Sequence, residues 1–431
     1  LVTARTLQGA FGAILAPAAL GTLVSTFRDP RERGRAFGVF GSVAGGGGAV
    51  GLILGGILTQ YVSWRWTLYV NLFFAAIAIA GALAYMRSNR PATRPRMDWA
   101  GTVLASAGLF LIVFGFSHAE LAGWAAGLTI ASLVAGVVLL AAFVLAERRV
   151  SHPLLPLRVI MDRARGGSYL AVGLTGIAVF GVFLFLTYYL QLVKGYSPVA
   201  SGLAFLPMIA CILLASNLSS IVLLPRVGPR NLIVTGMLLG GGAMAYLTQL
   251  TVASSYATSI VPALVALGLG FGMIFSPAIN TATAGVSRQD SGVASALVNT
   301  MQQVGGSIGT AALSTVALTA TASFLAVHHG GALAPATAAV HGYSVAFAVS
   351  AVLFGVGALV AALLLPSRQR LEELRNAALA APAAPAPGAV LADGAVLADG
   401  AVLADGAVLA DGAVLAGGAG AGDSVRSAEP R

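Results

Sequence analysis

Charge is scarce in these 431 residues: Asp, Glu, Lys and Arg together make up 9% of the chain. A soluble globular protein carries about a quarter, because its surface has to be wetted. Lysine occurs once, at Lys194, where Gly-Tyr follows it, so there is no Gly-Lys-Ser/Thr phosphate loop and nothing points to nucleotide-driven chemistry. Cysteine also occurs once, at Cys211 inside an apolar run. That excludes an intrachain disulfide and a cysteine-based metal site, and leaves the redox compartment open. The five histidines include no His-Glu-x-x-His pair, and no nucleophile stands with a base, so the chain does not read as an enzyme. His328, His329 and His341 have no carboxylate or cysteine near them in sequence, and no metal site or cofactor is expected. A signal-peptide pattern is also lacking: the chain opens on Leu1 directly in an apolar run and reads as the continuation of a longer polypeptide.

What is abundant is apolar. Hydrophobic residues make up 58% of the chain and glycine contributes 54 residues; the mean hydropathy is +0.89. The class is therefore an all-α, polytopic membrane protein. A bilayer crossing takes about 20 apolar residues. Eleven runs qualify, near residues 1–25, 34–60, 65–86, 98–117, 122–146, 168–192, 199–224, 231–250, 258–282, 292–322 and 342–365. They are continuously apolar, not alternating, so helices and not a barrel satisfy their backbones in lipid.

The net charge of +9 is spread in short clusters between these runs, which reads as topology and not as a nucleic-acid surface. Nineteen of the 24 basic residues fall in alternate connections, from the Arg28 to Arg35 cluster through Arg368 and Arg375, and the intervening ones hold only Arg65 and Lys194. This asymmetry places the arginine-bearing connections in the cytoplasm, with Leu1 outside and the C-terminus inside. The chain is thus expected in the cell membrane. From Ala377 the composition turns to Ala and Pro, and the hexamer GAVLAD then repeats from Gly388, its fifth copy ending in Gly417. This segment reads as a low-complexity, disordered cytoplasmic tail without an assigned function.

Arg5, Gln8, Gly9, Gly12 and Ala16 recur at helical spacing and share one face. Two readings stand: a cation facing the bundle interior, or an arginine near the interface that snorkels to water. Gly47, Gly51 and Gly55 form a GxxxGxxxG ladder, with Gly56 beside it, that lets another helix backbone approach. On the tenth run, Ser295, Asn299, Gln302, Gln303 and Gly306 form a polar stripe, which fits either a substrate path or hydrogen-bonded helix packing. Tyr188, Tyr189, Gln191, Asn217 and Asn280 are further substrate-path candidates, though aromatics at that depth also serve as an interfacial belt. Trp64, Arg65 and Trp66 read as an anchor at a helix start.

These stretches carry a resemblance. "LVTARTLQG" resembles the Leu-x-x-x-Arg-x-x-Gln-Gly motif in the fourth helix of major facilitator superfamily drug exporters, through Leu1, Arg5, Gln8 and Gly9. "GGAVGLILGG" resembles the antiporter motif of the fifth helix, Gly-x-x-x-Gly-Pro-x-x-Gly-Gly, through Gly47, Gly51, Gly55 and Gly56, with Leu52 in place of the proline. "SWRWTLYVN" is similar to the opening of the sixth helix in the fourteen-helix branch, the EmrB/QacA type, and "MDWAGTVLASAGLFLIVFG" to that branch's extra central pair. The likeness covers about residues 1–366 and implies eleven of fourteen helices. By it, residues 1–90 belong to an N-terminal six-helix bundle, 91–166 to a two-helix insertion with a cytoplasmic linker, 167–367 to a C-terminal six-helix bundle, and 368–431 to the tail.

The resemblance implies alternating access: export of apolar or cationic small molecules in exchange for protons, by a monomer without a cofactor. Arg5, Gln8 and Gly9 would then influence proton transfer with an acid on the first helix, and Gly47, Gly51, Gly55 and Gly56 would favour exchange over leak. Export of one endogenous metabolite, or a truncated, non-transporting regulatory role, are the alternatives. Of the fifteen acids, eight lie in the tail, and Asp29, Glu32, Asp98, Glu120, Glu147, Asp162 and Asp290 lie in loops or at helix ends. No run holds a mid-membrane carboxylate, so a proton carrier is not visible in it. A polypeptide that starts at Leu1 is accordingly expected not to perform coupled transport by itself, and proton-coupled efflux by it in vesicles would contradict that expectation.

Overall fold

The computed structural model describes residues 2–26, 30–85, 98–150, 154–283, 286, 290–327 and 334–367, with four short segments between 396 and 416. The chain divides into two units, Leu1–Arg368 and Gln369–Arg431. In chain order the first unit holds α1 (Val2–Thr26), α2 (Pro30–Tyr61), α3 (Trp66–Tyr85), α4 (Trp99–Ala122), α5 (Gly127–Glu147), a short α6 (Leu157–Met161) and α7 (Arg163–Tyr188). Then come α8 (Pro198–Ala204), α9 (Leu206–Leu218), α10 (Leu224–Val227), α11 (Pro229–Leu247), α12 (Val261–Thr283), α13 (Ser291–Val327) and α14 (Ala334–Leu364). Single π-helical turns extend α7 (Tyr189–Val193), join α9 to α10 (Ser219–Leu223) and open α12 (Tyr256–Ile260). Each expected apolar run is helical, and among the described residues eight helical stretches are long and apolar enough to cross a membrane.

Helix ends follow local chemistry. Asp98 caps α4, its Oδ1 accepting from the Gly101 N–H at 2.8 Å, and Asp162 caps α7 by accepting from the Arg165 N–H at 3.0 Å. Ser197 caps α8, which starts on Pro198, where a missing N–H costs nothing. Gly123 closes α4 at φ +86° and Gly228 separates α10 from α11 at φ +83°, both left-handed positions that glycine fills without strain.

Helices α7, α9, α11, α12, α13 and α14 pack into one bundle. Its core includes Val172, Leu186, Phe205, Met208, Met237, Phe271 and Phe354, all buried. Lipid tails are as apolar as leucine, so association in a bilayer rests on close packing, which small residues permit. A Cβ on Gly236 would lie 2.7 Å from the Gly270 carbonyl oxygen, and one on Gly270 would lie 2.7 Å from that of Gly236. On the next seam, a Cβ on Gly176 would lie 2.7 Å from the Gln302 carbonyl oxygen and one on Gly309 would meet the backbone of Ile177. These glycines are where helix backbones touch.

The central pair α4 and α5 is built the same way: Gly108 faces Leu140, Gly115 faces Leu133 and Gly136 faces Ile112. Its turn is tied by Thr129, whose hydroxyl donates to the Gly123 carbonyl at 3.2 Å and lies 2.9 Å from His118 Nδ1. Beyond the pair, Arg158 joins α6 to the start of α13 by an ion pair with Asp290 at 2.9 Å. By contrast, α3 buries no residue and residues 3–15 of α1 are exposed.

In the tail unit, which the sequence reads as disordered, four short segments are described. Val396–Ala398, Ala401–Ala404, Ala407–Ala410 and Ala413–Ala416 form strands β1 to β4, each antiparallel to the next. Ala398 pairs with Ala401, Ala404 with Ala407 and Ala410 with Ala413. The physical reason lies in the hexamer: four apolar residues followed by Asp-Gly, the dipeptide that favours a two-residue hairpin connection.

Gly136→Leu would push into Ile112 and the Gly108 carbonyl, at 2.9 and 3.0 Å from a Cβ. Overpacking of this kind costs about 1–3 kcal/mol, and a lowered melting temperature in detergent is expected. Gly242, with nothing within 4 Å of its Cβ position, should tolerate alanine without loss.

Candidate functional site

The residues selected from the sequence converge most where α2 meets α8. Gly56 is buried there: a Cβ on it would lie 2.8 Å from the Pro198 carbonyl oxygen and 3.0 Å from Val199 Cα. The reciprocal contact is Gly202, whose Cβ would lie 2.7 Å from the Leu52 carbonyl oxygen. One further bond crosses the seam, from the Val199 N–H to Gln60 Oε1 at 3.2 Å. The glycine helix thus touches α8 through backbone at two points.

Those points are not the expected ladder. Gly47, Gly51 and Gly55 have nothing within 4 Å of a Cβ among the described residues. Successive helical positions lie about 100° apart, so the face that carries Gly56 and Leu52 turns the ladder aside. Gly51 and Gly55 instead border a cavity of about 230 Å³, with Thr59, Thr67, Thr187, Gln191, Ser201 and Phe205 also in its wall. Four hydroxyls and an amide around an apolar opening give it hydrogen-bonding capacity without charge. Of this lining, only the glycines and Gln191 carry a signal in the sequence; the threonines come from three separate helices and no spacing pattern relates them.

Arg5 and Gln8 lie one turn apart on α1, and Arg5 Nη1 donates to Gln8 Oε1 at 2.8 Å, both side chains exposed. Gly9 beside them has nothing within 4 Å of its Cβ position. The stripe on α13 divides. Gly306 belongs to the seam with α7, where a Cβ would collide with the Phe180 ring, while Ser295, Asn299 and Gln302 are half-buried and Gln303 is exposed. Tyr189 is fully buried and donates to the Thr251 carbonyl at 2.7 Å, which makes it a packing residue; Tyr188, its neighbour, is exposed. Asn217 and Asn280 are exposed and donate to carbonyls one turn back on their own helices, those of Leu213 and Ser276, at 2.8 and 2.9 Å. The structure does not gather these amides into one site.

A second cavity, of about 400 Å³, lies against the start of α7, with Asp162, Arg163, Tyr169, Leu297, Met301 and Leu364 in its wall. Arg65 stacks over Trp64 with its guanidinium carbon 4.9 Å from the ring centroid. Among the described residues no group of three His, Cys, Asp or Glu side chains could hold a metal ion; His328 and His329 lie outside those residues.

Comparison with known proteins agrees with this architecture. The family model of the major facilitator superfamily matches residues 1–310. The puromycin resistance protein pur8 of Streptomyces alboniger is 47% identical over 89% of this chain and 77% of its own length. The cephamycin export protein CmcT of Amycolatopsis lactamdurans is 38% identical, over 77% of this chain and 70% of its own. The tetracenomycin C resistance and export protein of Streptomyces glaucescens is 33% identical over 73% of this chain and 58% of its own. A bundle of glycine-seamed apolar helices, a family match over most of the chain and these relatives lead to one conclusion: the chain belongs to the major facilitator superfamily.

Proposed function

We propose that the protein exports antibiotics or similar apolar or cationic small molecules across the cell membrane in exchange for protons. The observation that carries this is the α2–α8 contact between the two halves, backbone on backbone at Gly56 and Gly202, in a chain related to named resistance and export proteins. Alternating access requires two bundles that seal against each other on one side of a site and part again. Smooth glycine surfaces at the seal allow that contact to form and break with little side-chain rearrangement.

In this account the protein is a monomer of the fourteen-helix branch, with α1 to α3 in the N-terminal bundle, α4 and α5 as the inserted pair and α7 to α14 as the C-terminal bundle. The arginine-bearing connections and the tail face the cytoplasm, which puts the α2–α8 seal at the outer side. Arg5 and Gln8 act as one hydrogen-bonded unit in proton coupling, with Gly9 leaving their face open to a neighbouring helix. The threonine-lined cavity, together with Ser295, Asn299, Gln302, Gln303 and Tyr188, supplies the polar contacts along the substrate path. Uncharged donors and an apolar wall suit broad recognition better than selection of one ligand.

Expressed in an efflux-deficient bacterium within the longer polypeptide expected from its opening residues, the chain should lower the accumulation of puromycin or a fluorescent cation, and a protonophore should abolish the difference. Accumulation that is unaffected by the protein, or by collapse of the proton gradient, would contradict proton-driven export of those compounds. Gly202→Leu is expected to reduce export at least tenfold while surface expression persists, because the seal no longer closes. Gly47→Ala should leave export near wild type.

A further inference from the structure

From the geometry at the far end of the central pair, we infer that Asp98 and Glu147 form a proton-binding site, in which a neutral Glu147 carboxyl donates its hydrogen to Asp98. Asp98 stands at the N-terminus of α4 and Glu147 at the C-terminus of α5, so the antiparallel pair brings both to one end. Glu147 is buried, with 4% of its surface exposed. One of its oxygens, Oε2, accepts from the Leu155 N–H at 3.0 Å. The other, Oε1, is fully buried and has no hydrogen-bond partner among the described residues, and the same is true of Asp98 Oδ2, whose Oδ1 is occupied with the α4 cap.

These two orphan oxygens share one space. Both border the point where Gly101 lacks a side chain, Glu147 Oε1 at 2.6 Å from where a Cβ would stand, so the two carboxyl groups meet there. Two ionised carboxylates cannot share such a space: each would repel the other and each buried charge would be left without compensation. One proton removes both difficulties, because it turns a repelling pair into a donor and an acceptor. Each carboxyl already accepts one backbone N–H, and Glu147, the more deeply buried of the two, is the one for which charge costs more, which makes it the donor.

Among the described residues no cation takes the proton's place. On α5 and just beyond it Arg148 and Arg149 point to solvent; Arg158 is bound to Asp290; α13, which packs against α4, carries no titratable side chain. Of the segment after α5, the Leu155 N–H reaches Glu147, and Asp98 is the charged side chain placed beside it. The site is a property of the pair itself and stands whether or not export is driven by protons.

Infrared spectroscopy of the purified protein in lipid tests this directly. At neutral pH the wild type is expected to show a protonated-carboxyl C=O band that Glu147→Gln lacks, since its amide replaces the proton as donor to Asp98. Asp98→Asn should lose the band as well, because the new amide donates to Glu147 and lets it ionise. A wild-type spectrum equal to that of Glu147→Gln in this region would overturn the inference. Should the variants fail to fold, the unaltered protein decides through a hydrophobic carbodiimide, which reacts with protonated buried carboxyls. Labelling of Glu147 at neutral pH, mapped by mass spectrometry, supports the site, and an unlabelled Glu147 overturns it.

Discussion

Backbone contact between helices is the constraint on which this architecture depends. A membrane offers no hydrophobic gain for helix association, so cohesion has to come from surfaces that fit closely. Here the fit is made by glycine: Gly236 against Gly270 and Gly176 against Gln302 inside the bundle of α7 to α14, Gly136 against Ile112 between α4 and α5, and Gly56 with Gly202 between α2 and α8. The same device therefore serves two opposed ends. Within the bundle it holds helices firmly together, and at the α2–α8 seam it gives the proposed seal few side chains to rearrange.

The distribution of polar groups follows from the same economy of space. Where glycine brings backbones together, side chains such as Thr187, Ser201 and Thr59 are left around the margin and line an opening. Amides away from the seams, such as Asn217 and Asn280, return to their own helix backbones. Charge is kept to the ends, where Asp162 caps α7 and Arg158 holds Asp290. Glu147 is the exception, an end-of-helix acid that the start of α4 covers.

Helix positions were legible because continuous apolar runs of this length admit no other backbone solution in lipid. The contacts were not. Gly55 and Gly56 are neighbours in sequence, yet only Gly56 faces α8, since a turn of about 100° separates them. Composition shows that a helix has glycine faces and cannot show which one meets a partner. The same limit hid the Asp98–Glu147 contact: 49 positions apart, the two acids meet only because α4 and α5 are antiparallel and of matched length. Arg5 and Gln8, one turn apart, are bonded as their spacing allows, because that relation is local. In the tail, Asp-Gly between apolar tetrapeptides is a hairpin signal that the low-complexity composition masked.

The central claim is that the two halves seal and part at the α2–α8 seam during export. The bond between Val199 and Gln60 marks positions for a direct test. Cysteines placed at 60 and 199, in a background with Cys211→Ser, can be cross-linked by a short bifunctional reagent and released by reduction. The account predicts that the cross-linked protein stops exporting and that reduction restores export. A cross-linked protein that exports at the unlinked rate would contradict it.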